Sequence, residues 1–237
     1  DLINLKESLN SLFQGSIKNP SEGRGVSHTL YRNRTNSDGL EFIFSEREKI
    51  KSFLDKKHFN HSYKNLICLS IGGSRLGPEL LNEFQSFDGP MRVYFCCSYD
   101  LHELKDALRY CEQKETIVFA SSKSFETSEI IKNLDYVKSW FAKKSDIILE
   151  DHLYGISANS SAMTFHGIKN TNQFLLKNSL GGRFSIWSSI SLPGFVNANH
   201  DSYKELLEGA CIADEYTNQE DWDSNISVMM ALLSIWN

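Results

Sequence analysis

The sequence predicts an α/β fold in which a parallel sheet is covered by helices on both faces. Two observations carry this. Five apolar runs of strand length occupy the middle of the chain. Helical patterns lie between them, and buried strands alternating with helices build parallel sheets.

The elements follow in order. Residues 1 to about 60 read as a helical leader, with Leu2, Leu5, Leu9, Leu12 and Phe13 at helical spacing. Gly15 to Gly25 is a turn-rich break containing Asn19-Pro20, and Asn36-Ser37-Asp38-Gly39 is a second turn signal. Ser45-Glu46-Arg47-Glu48 predicts a helix start, with Ser45 as N-cap and Glu48 completing a capping box. The apolar runs are 65–71, 91–97, 116–120, 152–158 and a weaker 173–176. Helical patterns cover 78–85, 101–111 and 126–143. From Ser185 onward the pattern is helical only, most clearly over 202–216 and 224–236.

Composition narrows the function classes. The net charge is −5, and no basic stripe appears, which argues against a nucleic-acid binder. Lys56-Lys57-His58 reads as a short solvated surface. Five cysteines without a CxxC pair, three of them inside apolar runs, predict buried thiols in a reducing, cytoplasmic compartment. No signal peptide or membrane span is expected, since the apolar stretch 228–236 is too short to cross a bilayer. His58-Phe59-Asn60-His61 has a spacing that chelates in other settings but reads as loop, so neither metal nor cofactor is expected. Asp1 in place of methionine, and an apolar final helix with nothing after it to cover it, lead us to expect a truncated chain.

Three turns carry the chemistry, because ligands of open parallel sheets bind at the carboxyl ends of the strands. In Ser70-Ile71-Gly72-Gly73-Ser74-Arg75-Leu76-Gly77-Pro78, a strand enters a glycine pair, and a helix is predicted to begin near Pro78. The spacing is not that of a dinucleotide fingerprint. In Ala120-Ser121-Ser122-Lys123-Ser124-Phe125-Glu126-Thr127-Ser128-Glu129, hydroxyls and an ammonium meet a helix start, a combination suited to a phosphate dianion. The competing reading is an over-supplied N-cap; Lys123 weighs against it, because capping needs no cation at a positive helix end. In Ser179-Leu180-Gly181-Gly182-Arg183, a glycine pair exposes backbone beside a planar guanidinium, or forms a plain loop with a surface arginine.

Together, SIGGSRLGP, SSKSFETSE and LGGRFSIWSSISLP resemble the glucose-6-phosphate isomerase family. GRGVSHTLYRNR at Gly23 to Arg34 and VMMALLSIWN at Val228 to Asn237 agree, and all five stretches stand in family order. The resemblance implies a three-layer sandwich with a five-stranded parallel sheet, the sugar isomerase domain, at 61–188. An N-terminal helical arm at 1–60 and a helical tail at 189–237 would belong to a second, incomplete domain. It implies that Gly73 and Ser74 touch the sugar, that Ser122, Lys123, Ser124 and Thr127 hold the phosphate, and that Gly182 and the catalytic Arg183 sit at the reacting end. Glu129 falls at the site wall, and His28 reads as a packed histidine. Departures from the family pattern are Arg75 for aspartate, Ser124 and Glu126 for threonines, and Ser128 for glutamine. A carboxylate at Glu126 must point away from a phosphate.

The family's reaction interconverts an aldose and a ketose phosphate through an enediol, with a carboxylate moving the proton between C2 and C1. That carboxylate lies downstream of the last matched stretch, so the chain alone is expected to bind sugar phosphate without isomerising it. The resemblance further implies a homodimer. The other function class weighed is a stand-alone phosphosugar-binding regulatory module; the helical arm and tail favour the isomerase.

Overall fold

The computed structural model describes residues 2–20, 23–34, 37–56, 62–84, 89–144, 146–218 and 224–236. The readings on Lys57-His58 and on the His58–His61 pair lie outside them, as do Asn36 and the end of the 78–85 helix. In chain order the elements begin with α1 (Leu2–Phe13), the short strands β1 (Lys18–Asn19) and β2 (Arg24–Gly25), and α2 (Glu41–Leu54). The central part alternates β3 (Asn65–Ser70), α3 (Gly73–Phe84), β4 (Arg92–Cys96), α4 (His102–Arg109), β5 (Thr116–Ser121) and α5 (Ser128–Phe141). It continues with α6 (Leu149–His152), β6 (Leu153–Ser157), α7 (Ser160–Phe165) and β7 (Gln173–Leu175). A 3-10 segment, Gly182–Trp187, then leads to α8 (Leu192–Phe195), α9 (His200–Thr217) and α10 (Ile226–Trp236).

Strands β3 to β7 form one five-stranded sheet in the order β4-β3-β5-β6-β7, every pair parallel. All five predicted runs are strands of this sheet. Alternate residues of one strand go to opposite layers, as a period of two requires. Leu66, Cys68 and Phe119 pack with Ile50 and Phe53 of α2 and Tyr203 and Leu207 of α9. Ile67, Leu69, Val118 and Ala120 pack with Leu104 of α4 and Ile130, Leu134 and Val137 of α5. Each such buried aliphatic or aromatic side chain contributes about 1.5–3 kcal/mol. Cys68 and Cys96 are buried within these layers, and burial pushes both thiols up to about 12.

Two predicted helix starts are corrected. Helix α2 begins at Glu41, so Ser45 is interior and caps nothing. The turn Ser37–Leu40 delivers the chain instead, and Ile43 is fully buried, which draws 41–44 into the helix. Helix α3 begins at Gly73, so Pro78 lies inside it. The reversal comes from Gly72, whose φ of +59° turns the chain straight out of β3. The predicted break at 15–25 holds the hairpin β1–β2, with Lys18 opposite Gly25 and Asn19 opposite Arg24.

Glu46 joins α2 to the segment after the 3-10 turn: its Oε1 accepts the Ser189 amide at 2.7 Å. Burial pushes its carboxyl up to about 7, against the opposing pull of the Ser189 hydrogen bond, the nearby Tyr31 hydroxyl and the Arg47 charge. The folded chain therefore holds this proton more tightly than the unfolded one. Stability present below pH 4.5 is expected to decline by about 3 kcal/mol as the pH rises through 7. Glu46→Gln should abolish that decline in melting temperature measured across pH 4.5–8; an unchanged slope would refute the assignment.

Candidate functional site

The three turns emerge together at the carboxyl edge of the sheet. Ser70 and Ser121 are register partners on adjacent strands, and Ser121 pairs with Ile156 on the next. After β3, the amides of Arg75 and Leu76 donate to the Gly72 carbonyl, both at 3.0 Å, and set Gly73 and Ser74 in the first turn of α3. Gly73 is there because nothing larger fits: a Cβ on it would stand 2.2 Å from the Gly182 carbonyl oxygen. The first and third turns are thus in backbone contact.

Arg75 neither adds charge to the site nor faces solvent freely. Its guanidinium donates to both Glu79 oxygens, at 2.9 and 3.1 Å, and approaches Glu103 at 3.5 Å.

The second turn runs from β5 into α5. Phe125 is fully buried at a φ of +56° and anchors the loop. The Lys123 carbonyl accepts from the Ala158 amide at 3.0 Å and from Ser157 Oγ at 2.9 Å, tying the loop to the end of β6. Some amides are consumed: Ser122 donates to the Ile156 carbonyl, Phe125 to the Ser122 carbonyl and Glu126 to Ser124 Oγ. Among the described residues, the amides of Ser124 and Thr127 donate to no backbone or side-chain acceptor.

Thr127 is the N-cap residue of α5, yet its side chain caps nothing. Its Oγ1 lies 2.7 Å from Ser122 Oγ instead. One hydroxyl of that pair donates to the other, leaving one O–H hydrogen to spare. The first amides of α5, which have no partner within the helix, receive no side-chain cap.

The third turn opens the 3-10 segment, held by Ser185 Oγ donating to the Gly182 carbonyl at 2.7 Å. Arg183 is exposed. Lys123, Gly182 and Arg183 line one cavity of about 190 Å³. Ser122, Ser124, Thr127, Gly73 and Ser74 adjoin it through the turns rather than lining it. Glu126 is exposed and Glu129 accepts from its neighbour Ser128 at 3.0 Å; neither lines the cavity.

Sequence reading missed the wall opposite, which the N-terminal arm supplies through Asn19 and Arg24. The arm is stitched to the third turn. The Ser27 amide donates to the Ser179 carbonyl at 3.2 Å, and Ser179 Oγ donates to Ser27 Oγ at 2.8 Å. The His28 ring stacks on Phe184 with centroids 4.2 Å apart. Burial, aided by the Arg32 charge, lowers the imidazole to about 4, so His28 is neutral at pH 7, a packed residue as read. The signal for Arg24 was present in GRGVSHTLYRNR, but only the fold reveals what that stretch lies against.

Lined by Arg24, Lys123 and Arg183 and, among the described residues, by no carboxylate, the cavity suits an anion. A larger hollow of about 440 Å³ beside β4 has the opposite character, with Glu79, Glu83, Glu103 and Asp106 on its wall. Among the described residues no group of three His, Cys, Asp or Glu is placed to hold a metal ion. No helix among them is long and apolar enough to cross a membrane.

Comparison with known proteins gives one result. The glucose-6-phosphate isomerase of Pseudoalteromonas atlantica is 31% identical over 255 aligned residues, covering 100% of this chain and 46% of that protein. That of Pseudoalteromonas translucida is 33% identical, covering 95% of the chain and 44% of the relative. The chain therefore spans about half the length of these curated relatives. The crystal structure of a glucose-6-phosphate isomerase from Chlamydia trachomatis shares the fold, with a TM-score of 0.87 at 24% identity over 99% of this chain and 48% of that one. The family described as phosphoglucose isomerase matches residues 1–237, and the chain belongs to that family.

Proposed function

We propose that the protein containing this chain interconverts glucose 6-phosphate and fructose 6-phosphate, and that residues 61–188 form its sugar-phosphate-binding domain. The observation that carries this reading is a cavity lined by three cations and, among the described residues, no carboxylate, beside a helix N-terminus whose cap side chain makes no cap bond. Lys123, the Ser124 and Thr127 amides and the spare hydroxyl of the Ser122–Thr127 pair hold the phosphate. Gly73 and Ser74 face the sugar. Gly182 brings backbone close to it, and Arg183 meets the oxygen on which enediolate charge develops.

Proton transfer between C2 and C1 needs a base within hydrogen-bond reach. Among the described residues the cavity wall has no carboxylate, so the base comes from elsewhere in the full protein, and this chain alone binds without turning over. Segments 1–60 and 189–237 belong with the rest of that protein, which we read as a cytoplasmic homodimer.

The test is a coupled assay on the full reading frame: no turnover of fructose 6-phosphate would remove the isomerase reading. Lys123→Ala should raise the dissociation constant for glucose 6-phosphate roughly 10- to 100-fold, the worth of a charge-assisted hydrogen bond. Unchanged affinity in calorimetric titration would remove the phosphate site.

A further inference from the structure

We propose that Arg24, carried by the N-terminal arm, is a substrate-binding residue that grips the phosphate together with Lys123. The inference rests on the sugar-phosphate reading of the cavity and extends it to a segment outside the three turns.

Three observations support it. Arg24 lines the same cavity as Lys123 and Arg183, and among the described residues no acidic side chain lines it with them. Among the described residues no carboxylate pairs with Arg24. Its position is also fixed rather than incidental. The β1–β2 pairing sets Arg24 directly opposite Asn19, which lines the cavity too. The Ser27–Ser179 bonds and the His28–Phe184 stack then press this hairpin onto the third turn. A guanidinium so held presents a planar fork that matches two phosphate oxygens, where Lys123 offers a single point charge.

The division of labour has a kinetic signature. Phosphate is remote from the reacting carbons, so losing one of its contacts removes binding common to the ground and transition states. In the full-length enzyme Arg24→Ala should raise KM for fructose 6-phosphate about 10-fold or more, with kcat changed less than about threefold. The inhibition constant of inorganic phosphate should rise in parallel, and Arg24→Lys should recover part of both. Arg24 is exposed, so the variants should fold, which thermal melting checks. If Lys123→Ala raises KM while Arg24→Ala leaves KM and phosphate inhibition unmoved, the arm is only a wall and the proposal is overturned. If neither variant moves them, the proposal is overturned together with the placement of the phosphate in this cavity, while turnover itself still upholds the isomerase reading.

Discussion

Replacing Arg183 by alanine should lower kcat of the full-length enzyme roughly 100- to 1,000-fold, the loss seen when one donor to a developing oxyanion is removed. KM for fructose 6-phosphate should change little, because the proposed phosphate contacts lie on the second turn and the N-terminal arm. The reasoning is geometric. Arg183 follows a glycine pair whose backbone is pinned by Ser185 Oγ and abutted by Gly73. Its side chain is exposed, and among the described residues it pairs with no carboxylate. In the proposed role a guanidinium would stabilise an enediolate through its donors, without a proton transfer of its own. Steady-state kinetics on the variant check this. A loss confined to KM would move Arg183 to the phosphate end, and no loss at all would remove it from the site.

The second large effect is expected at Gly73. An added methyl would meet the Gly182 carbonyl oxygen at 2.2 Å, its carbon at 2.5 Å and the Arg183 nitrogen at 2.9 Å. All three are backbone atoms, so no rotamer change relieves the overlap. Gly73→Ala should cost about 2–3 kcal/mol, in the range of overpacked cores. It should also push Arg183 off its mark and depress kcat further than the stability loss accounts for. Gly209 is the control. It lies in α9 with nothing within 4 Å of a new Cβ, and Gly209→Ala should stabilise by about 0.5–1 kcal/mol. Denaturant unfolding of both variants decides the matter: equal stabilities would mean that the two turns are not in contact.

Much of this arrangement was legible in the residues. The strands announced themselves because a parallel sheet buries both faces, and Leu66, Ile67, Cys68 and Leu69 leave no polar face to confuse the pattern. The three turns were legible because glycine, serine and lysine collected at strand ends, outside the apolar pattern of the core. The helix starts were not. Ser45 and Pro78 are good local start signals, but burial of Ile43 and the turn at Gly72 outweighed them. That Thr127 would bond to Ser122 rather than cap its own helix was also beyond sequence, since both outcomes use the same residues. Arg24 was hidden for a topological reason. Its neighbourhood depends on contacts such as Ser27 with Ser179, separated by 152 positions.

That same separation bears on how the protein is made. The arm leaves the ribosome early, yet the surface it must grip exists only once the last strand and the 3-10 segment have followed. Until then the hairpin has no docking partner, and every strand pair of the sheet awaits a crossover of its own. Non-local pairing of this kind delays folding until loop closure has been achieved. The nascent chain therefore carries an unmade pocket until the segment Gly182–Trp187 has followed the arm, with its apolar strands uncovered in the meantime.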